Sequence, residues 1–277
     1  MYITTYNRRK LLERAINSVL NQTHSPIELI VADDGSTDGS QEYLTEMHEQ
    51  GILTAILNTT GKSKGACYGR NRAISMAKGE FISGLDDDDY FEPWRIETFI
   101  KKWQEYTVNK KLFSALFDSV VEHRKSGPVA CYDTKVATYQ KLRKGNVVGN
   151  QVFTKTSYLK AVGGFDERMP ALQDWDTWLR LSNQYGDILN VNTRSYIQIQ
   201  NHEGERITGK PAEKIRFAFN RLMNKLQPLT RSEESHLLAT MYSGYPQIDI
   251  KISELFKIFM GGHFRKVAQV VKRTLLK

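Results

Sequence analysis

The sequence predicts an α/β fold in which a mostly parallel mixed sheet is flanked by helices and followed by a helical C-terminal extension. Short apolar runs alternate with segments whose apolar residues recur at helical spacing. Such a β-α-β-α series builds a largely parallel sheet with helices on both faces. Acidic clusters at residues 33–34 and 86–89 directly follow two of these runs. Ligands bind beyond the carboxyl ends of the strands in this fold class, so both clusters are expected at a binding site.

Each element is predicted from a local pattern. Apolar residues between positions 11 and 20 recur at helical spacing, and the side-chain oxygen of Asn7 is expected to cap this first helix. Pro93 is expected at the first position of a later helix, where proline is favoured. The expected strands cover residues 27–32, 54–57, 81–85, 113–121 and 147–153, and the other expected helices cover 39–49, 67–77 and 175–184.

The chain has 277 residues, 40% of them hydrophobic and 25% charged, as in a soluble globular protein. Its net charge of +8 is concentrated at one end. Residues 206–277 contain 14 Lys or Arg and 5 Asp or Glu, a net +9, so residues 1–205 carry −1. We therefore expect a neutral domain over residues 1–205 and a basic helical region over residues 206–277.

The apolar runs and the cysteine content of the sequence indicate the expected cellular location and the type of metal ligand. No apolar run reaches the roughly 18 residues needed to span a bilayer, and the first residues lack the pattern of a signal peptide, so a cytoplasmic protein is expected. Cys67 and Cys131 are the only cysteines and show no paired ligand spacing, so neither a disulfide framework nor a zinc site is indicated. Any metal would be bound by oxygen ligands or histidine.

The first acidic cluster begins the polar segment 33–39, which has the oxygen-rich spacing of a calcium loop. An EF-hand requires a bidentate Glu at the twelfth position and a helix before the loop, whereas this sequence has Thr45 and a strand. A polar turn between a strand and a helix is the remaining structural interpretation.

The second cluster, Asp86 to Asp89, follows a run expected to be buried. Four adjacent carboxylates in a crevice raise one another's pKa unless a cation is present, and Mg²⁺ or Mn²⁺ prefers oxygen ligands. A solvated acidic turn is the alternative. A third group consists of residues 163–166 followed by 173–176, in which Asp174 is either a helix N-cap or a general base beside an apolar wall of Phe165 and Trp175.

Taken together, these motifs resemble those of glycosyltransferase family 2, with its GT-A nucleotide-sugar-binding fold. The resemblance covers most of residues 3–206 in matching order and spacing. It rests on segments 4–8, 18–23, 28–39, 69–73, 79–81, 85–89, 162–167 and 173–181.

The resemblance implies a role for each matching position. Residues Thr4, Tyr6 and Asp34 would hold a uracil-type base, and Asp34 would accept the ring N–H. The other implied nucleotide contacts are Arg70, Asn71, Asp86 and Asp87. Asp88 and Asp86 match the family's Asp-any-Asp signature and would bind Mn²⁺ or Mg²⁺ at the diphosphate.

The remaining implied positions surround the reacting sugar. Gly164 and Phe165 would line the donor-sugar pocket, and Asp174 would be the catalytic base. His202 is expected as a metal ligand and Arg206 as a diphosphate contact, unless His202 is a surface loop residue. Gln173 stands where Glu often precedes the base, which removes one negative neighbour and favours a lower pKa for Asp174.

The implied reaction is inverting transfer of a sugar, with a UDP-sugar favoured, to a glycan or lipid-linked hydroxyl in bacterial surface polysaccharide or lipopolysaccharide assembly. Two other classes are open: a nucleotidyltransferase on a similar sheet, and a non-enzymatic binder of nucleic acid or anionic surfaces. Against the nucleotidyltransferase, the sequence has no glycine-rich phosphate-binding loop near its N-terminus. The second has only the basic tail in its favour and no nucleic-acid-binding motif, so no nucleic-acid partner is expected.

The tail has two interpretations. Its last helix segregates apolar from basic side chains, which fits either a helix docked on the catalytic domain or an interfacial helix at the inner face of the cell membrane. The apolar arc contains Phe264, Val267, Ala268, Val271 and Leu275, and the basic side contains Arg265, Lys266, Lys272, Arg273 and Lys277. The net +9 and a second apolar-rich segment, residues 248–260, favour peripheral contact with anionic lipid.

Overall fold

The computed structural model describes residues 1–109, 111–124, 127–199 and 211–275. The strands are β1 (Tyr2–Thr5), β2 (Ile30–Asp33), β3 (Thr54–Leu57), β4 (Phe81–Asp86), β5 (Asp89–Phe91), β6 (Phe113–Phe117), β7 (Val120–Arg124), β8 (Gly127–Cys131), β9 (Val136–Ala137), β10 (Phe153–Lys155), β11 (Asp187–Asn190) and β12 (Tyr196–Ile199). The helices are α1 (Arg9–Leu20), α2 (Ser40–Glu49), α3 (Ala66–Met76), α4 (Arg95–Val108), α5 (Tyr139–Leu142), α6 (Thr156–Ala161), α7 (Gln173–Tyr185), α8 (Ala212–Lys225), α9 (Arg231–Gly244), α10 (Ile252–Met260) and α11 (Phe264–Leu275).

Eight of these strands form the central sheet, in the order β3-β2-β1-β4-β10-β6-β11-β9. The first four are parallel, whereas β10 is antiparallel to both of its neighbours. In β1, Thr4 pairs with Asp86 of β4 and Thr5 pairs with Asp33 of β2, so three strands end at the same edge. The predicted mixed α/β sheet with flanking helices is confirmed.

The expected single strand over residues 113–121 is wrong. The chain leaves the central sheet after Phe117 and enters a second sheet, ordered β5-β12-β7-β8, at Val120. The buried carboxylate of Asp118 sets this corner because it accepts hydrogen bonds from the backbone N–H groups of Thr193, Arg194 and Ser195. An apolar run cannot reveal that two of its residues turn between sheets.

The strand expected over residues 27–32 is confined to Ile30–Asp33, and three other expectations also differ. The strand expected over residues 147–153 is reduced to Phe153–Lys155, because the residues before it form a turn and send side chains to the site. Helix α4 begins at Arg95 with Trp94 as its N-cap, so Pro93 precedes the helix. Asn7 does not cap α1; its Oδ1 accepts from the backbone N–H of Thr37 at 2.7 Å and joins two loops at the strand ends.

The C-terminal helices pack on the same core as α7. Phe219 of α8 is buried and meets Trp175 of α7 edge to face, with 6.0 Å between the ring centroids. Lys225 of α8 forms ion pairs with Asp166 and Asp176 at 2.8 and 2.6 Å. The expected division at residues 205–206 lies outside the described residues. No helix in the described ranges is long and apolar enough to cross a membrane.

Candidate active site

A cleft of about 1030 Å³ opens where β1, β2 and β4 end. The side chains that line it come from distant parts of the chain, and they include most of the positions predicted from sequence. These are Thr4, Tyr6, Asp34, Arg70, Asp86, Asp87, Asp88 and Asp174. The parallel register explains the convergence, since strands that share a direction end at one edge of the sheet.

Asp34, directly after β2, lines the cleft, and both oxygens of its carboxylate accept hydrogen bonds. It accepts hydrogen bonds from the backbone N–H groups of Lys64 and Gly65, both at 2.8 Å, and from the side chains of Asn58 and Ser63. Burial alone would raise the pKa of Asp34, but these hydrogen bonds lower it. Asp34 is therefore an ionised acceptor that also ties the loop before α3 to the cleft.

The four consecutive aspartates meet different surroundings. Asp86 accepts from Arg70 at 3.1 Å, from Gln151 at 2.8 Å and from Asn150 at 2.7 Å. Since the donors engage both of its carboxylate oxygens, Asp86 is held in one orientation. Its side chain is 25% exposed toward the cleft.

Arg8 holds the next two carboxylates. Its Nη1 lies 3.0 Å from Asp87 Oδ1 and 3.0 Å from Asp88 Oδ2, and the hydroxyl of Thr5 donates to Asp87 at 2.7 Å. Burial raises the pKa of Asp87 to about 6, although Arg8 and Thr5 oppose it. Because the side chain of Asp87 is 7% exposed and that of Asp88 19%, Asp88 is the more accessible of the two.

Asp89 turns toward the second sheet. The hydroxyl of Tyr196 donates to it at 2.7 Å, and burial, followed by the charges of Asp86 and Asp88, raises its pKa well above the ordinary value. Asn150 Nδ2 also lies 3.0 Å from the Tyr196 hydroxyl oxygen. A chain of hydrogen bonds thus connects Asp89 with Asp86 through Tyr196 and Asn150.

Asp174 lies in the first turn of α7, after the N-cap Leu172, so it is not the N-cap. Its Oδ2 accepts from Asn146 Nδ2 at 3.1 Å, and it is partly exposed in the cleft wall. Burial raises its pKa, while the Trp175 backbone N–H and Arg70 act in the opposite direction. The lower pKa expected from Gln173 is therefore outweighed by desolvation, and a carboxylate with a raised pKa suits a general base.

Asn71, Gly164 and Phe165 lie behind this cleft rather than in its wall. The Asn71 side chain accepts from the Phe165 backbone N–H and donates to the Phe165 carbonyl, both at 2.8 Å. Gly164 has φ +62°, and an added Cβ would lie 2.4 Å from Asn71 Oδ1. The expected lining of a sugar pocket by Gly164 and Phe165 therefore differs from their position, because Asn71 fixes their turn beneath Arg70, whose guanidinium lies 5.1 Å from the Phe165 ring.

His202 and Arg206, expected as a metal ligand and a diphosphate contact, lie outside the described residues.

Comparison with known proteins identifies the family. The model of the family described as glycosyl transferase family 2 matches residues 1–147. The Escherichia coli (strain K12) protein WcaA, named for colanic acid biosynthesis as a glycosyl transferase, is 33% identical over 245 residues, 87% of this chain and 86% of that protein. The chain belongs to glycosyl transferase family 2. It is a glycosyltransferase, and the resemblance noted in its sequence is confirmed.

Two solved structures share the fold of this glycosyltransferase. Staphylococcus aureus TarS 1–349 in complex with UDP-GlcNAc aligns with TM-score 0.69 and 19% identity, covering 92% of this chain and 77% of that one. The mannosyltransferase PcManGT from Pyrobaculum calidifontis, in complex with GDP-Man and Mn²⁺, aligns with TM-score 0.59 and 19% identity, covering 99% and 79%. These similarities establish the GT-A glycosyltransferase fold.

The side chains at the end of β4 fit a hard divalent cation by donor type. Asp88 and Asp86 offer carboxylate oxygens to the cleft, and such oxygens are the ligands that Mg²⁺ and Mn²⁺ prefer. Within the described ranges, no three His, Cys, Asp or Glu side chains are gathered as a ready-made metal site. Two carboxylates complemented by the oxygens of a diphosphate are a donor set that Mg²⁺ commonly uses with nucleotides.

Several site residues of this glycosyltransferase escape sequence reasoning. Arg8, Asn146, Asn150, Gln151 and Tyr196 all contact the carboxylates described above. Asn150 and Gln151 carry a usable signal, because they interrupt the apolar run over residues 147–153, and Asn146 directly precedes that run. Arg8 and Tyr196 had none, since their partners are 79 and 107 residues away along the chain.

Proposed function

We propose that this glycosyltransferase transfers a sugar from a UDP-sugar, with inversion at the anomeric carbon, to a hydroxyl group of a glycan or lipid-linked acceptor. The observation that carries the proposal is the shared cleft of Asp174 and the acidic cluster at the end of β4. Glycosyl transfer requires a base for the acceptor hydroxyl and a way to neutralise charge on the leaving diphosphate. A carboxylate with a raised pKa and a set of hard oxygen ligands in one cavity suit these two requirements.

In the proposed reaction, Asp174 accepts the proton of the acceptor hydroxyl while that oxygen attacks the anomeric carbon. The bond from the anomeric carbon to the diphosphate oxygen breaks, and the nucleoside diphosphate leaves with the electron pair. Asn146 orients the carboxylate of Asp174 through its hydrogen bond. General base catalysis of this kind contributes about 10² to 10⁴ in rate.

The donor nucleotide is assigned to the strand-end side of the cleft. Thr4, Tyr6 and Asp34 are proposed to hold the base, with Asp34 as the acceptor for a ring N–H, and Arg70, Asn71, Asp86 and Asp87 to form or support the rest of the nucleotide site. Gly164 and Phe165 are proposed to support the donor-sugar pocket from behind. Mn²⁺ or Mg²⁺ held by Asp88 and Asp86, with His202, would neutralise charge on the diphosphate, and Arg206 would add a cation there.

The proposed setting is assembly of a bacterial surface polysaccharide or lipopolysaccharide, since the relative WcaA is named for colanic acid biosynthesis. We propose a cytoplasmic enzyme that contacts the inner face of the cell membrane. Five exposed apolar side chains on α10 and α11 support this contact: Ile252, Phe256, Phe259, Met260 and Phe264. Residues 251–277 carry seven basic residues and one acidic residue, which favours an anionic lipid surface as the partner.

The substitution Asp174→Asn tests the reaction. The amide keeps the shape of the side chain but cannot take the proton, so sugar transfer should fall by at least about 10² while UDP affinity stays within a few-fold. Transfer can be followed as acceptor-dependent release of UDP, and affinity by calorimetry. The matched control Asp249→Asn, an exposed position away from the cleft, should leave both unchanged.

Two results would contradict the proposal. Turnover of Asp174→Asn within about tenfold of the wild type would assign the base to another residue. Release of pyrophosphate from a nucleoside triphosphate and a sugar phosphate, without sugar transfer, would instead support the nucleotidyltransferase alternative.

A further inference from the structure

The cleft is larger than the polar region around the aspartates. The same wall includes Tyr132, which follows β8, and Tyr245, which follows α9. Its volume of about 1030 Å³ is at the upper end of the roughly 300 to 1000 Å³ typical of small-molecule pockets. A second ligand beside a nucleotide-sugar would therefore find room, and aromatic side chains are available to it.

Tyr132 is held in an unusual conformation at the cleft. Its φ is +67°, a left-handed value that is unfavourable for a bulky residue and persists only where the surroundings impose it. Its carbonyl oxygen accepts from Asn190 Nδ2 at 3.0 Å and from Ser119 Oγ at 3.2 Å, which fixes the backbone. The Tyr132 side chain remains 36% exposed, so this strain presents a ring at the cleft rather than burying it.

The Tyr132 ring lies over the turn that positions the proposed base. A Cβ added at Gly149 would lie 3.2 Å from Tyr132 Cε2, and the φ of Gly149 is +94°, so glycine favours this close approach. The Gly149 carbonyl accepts from Asn146 Nδ2 at 3.0 Å, and the same Asn146 nitrogen donates to Asp174. Although part of the residue is exposed, desolvation of the phenol and then the charge of Asp174 raise the pKa of Tyr132, and both side chains line the same cleft.

Tyr245 approaches Asp174 from the C-terminal helices. Its ring meets Phe219 edge to face at 5.8 Å between centroids, and Phe219 in turn meets Trp175, the neighbour of Asp174. Burial and then Asp174 raise the pKa of Tyr245 to about 12. Two tyrosines that are 113 residues apart in the chain therefore line one cleft together with the carboxylate of Asp174.

We propose that Tyr132 and Tyr245 form the acceptor subsite, binding the pyranose ring of the acceptor so that one of its hydroxyls reaches Asp174. A pyranose presents C–H groups on its faces and hydroxyls at its rim. The face of an aromatic ring can pack against the C–H groups, and the tyrosine hydroxyls and Asp174 can form hydrogen bonds with the rim hydroxyls. This assignment rests on the proposed glycosyl transfer and adds the chemical class of the acceptor group and the residues that hold it.

The test uses two variants that remove a ring and spare the backbone. Tyr132→Asn retains a residue that tolerates the left-handed conformation, and Tyr245→Leu retains an apolar contact with Phe219. The matched control is Tyr185→Leu, since Tyr185 is half-buried, stacks on Tyr158 at 3.9 Å and does not line the cleft. The probes are the methyl α- and β-pyranosides of glucose, galactose and mannose, with the acyclic polyol sorbitol as a negative control.

Saturation-transfer NMR in the presence of UDP and the diamagnetic cation Mg²⁺ should show binding of at least one pyranoside, and not of sorbitol, to the wild type. Its affinity should fall about 3- to 10-fold in each cleft variant, as expected for one aromatic contact, and stay unchanged in Tyr185→Leu. UDP affinity by calorimetry should be equal in all four proteins.

Pyranoside binding that is equal in all four proteins, or absent from the wild type while UDP binds, would overturn the acceptor subsite and leave the proposed reaction intact. Failure of the wild type to bind UDP would count against the proposed function itself. Loss of UDP affinity in Tyr132→Asn or Tyr245→Leu would assign these rings to the donor and overturn their assignment to the acceptor.

Discussion

At the scale of residues, the acidic cluster shows how four adjacent, chemically identical side chains acquire different properties. Asp86 is oriented by three donors, Asp87 is buried beneath Arg8, and Asp89 is bonded to Tyr196. Asp88 remains the more accessible partner of Arg8. For a cation at the cleft, Asp88 is therefore a more accessible ligand than Asp87, and Asp86 is already fixed in direction.

Asp88→Ala should make nucleotide binding insensitive to metal. In the wild type, calorimetry should show tighter UDP binding with Mn²⁺ than with excess EDTA, because the cation links the carboxylates to the diphosphate. Loss of one ligand should weaken the Mn²⁺-dependent affinity by at least about tenfold. Glu80→Ala is the matched control, since its side chain is 70% exposed before the start of β4. Equal UDP affinity in Mn²⁺ and EDTA, together with no effect of Asp88→Ala, would mean that the metal assignment is wrong.

The pH dependence of transfer should report the surroundings of Asp174. Burial raises its pKa, and the base acts only when deprotonated, so kcat/KM should fall as pH decreases and should do so at a higher pH than for an exposed aspartate. Asn146→Ala removes a donor that favours the charged form, so the acidic limb should move to still higher pH. The limb should not move in Asn224→Ala, an exposed control on α8. An unchanged limb in Asn146→Ala would contradict the orienting role of Asn146.

At the scale of elements, α10 differs from an ordinary surface helix in that most of its large apolar side chains face solvent. Its buried residue is Ile258, and Glu254 pairs with Arg216 at 3.0 Å on the protein side, while large apolar side chains face solvent. Ile252 is 85% exposed and Phe256 is 64% exposed. A helix that gained its stability only by docking on the catalytic domain would bury these residues instead.

Co-sedimentation with liposomes tests the proposed lipid contact. Full-length protein should bind vesicles that contain anionic lipid, binding should weaken as salt rises, and deletion of residues 262–277 should abolish it. Phe256→Glu should weaken binding, whereas Phe217→Glu on α8, where Phe217 is 53% exposed, should not. Equal recovery of full-length and truncated protein in the supernatant would leave α11 as a helix docked on the protein.

At the scale of the whole molecule, the C-terminal helices are joined to the catalytic sheet by charge as well as by packing. Glu233 of α9 pairs with Arg143, which also donates to the carbonyls of Leu226 and Pro228 at 3.0 Å each. Glu233 completes a capping box with Thr230 at the start of α9. One carboxylate thus stabilises both a helix start and its attachment to the residues after α5.

Protonation of Glu233 should lower the free energy of unfolding at acid pH. Hydrogen bonds from Arg143, opposed by burial, lower its pKa from 4.5 to about 2. A lowered carboxyl pKa contributes stability that is complete above the unfolded value and is lost as pH falls from 4.5 to about 2. Urea unfolding at several pH values should show a shallower acid decline for Glu233→Gln, with lower stability at pH 7, and no such change for Glu234→Gln. Parallel pH profiles for wild type and Glu233→Gln would contradict this role.

The strands β2 to β4 and the helices α1 to α4, the two acidic strand ends and the position of Asp174 near a helix start could be predicted from sequence, whereas β5 could not. Hydrophobic periodicity and turn chemistry are local properties, and the family motifs lie in short segments. The corner at Asp118, the positions of Asn71 and Phe165, and the tyrosines beside Asp174 could not, because each depends on partners far away in the chain.

The sequence by itself determined which residue types stand at the strand ends, and so the class of chemistry that this protein performs. Only the tertiary structure decided the burial, the hydrogen bonding and therefore the pKa of each carboxylate. Asp87 and Asp174 have their pKa raised by burial, whereas Asp34 has its pKa lowered by four donors. The reason is physical: desolvation and hydrogen bonding depend on what surrounds a group in space, and Arg8, Asn146 and Tyr245 come close to their carboxylates only when the sheet and the C-terminal helices have packed together.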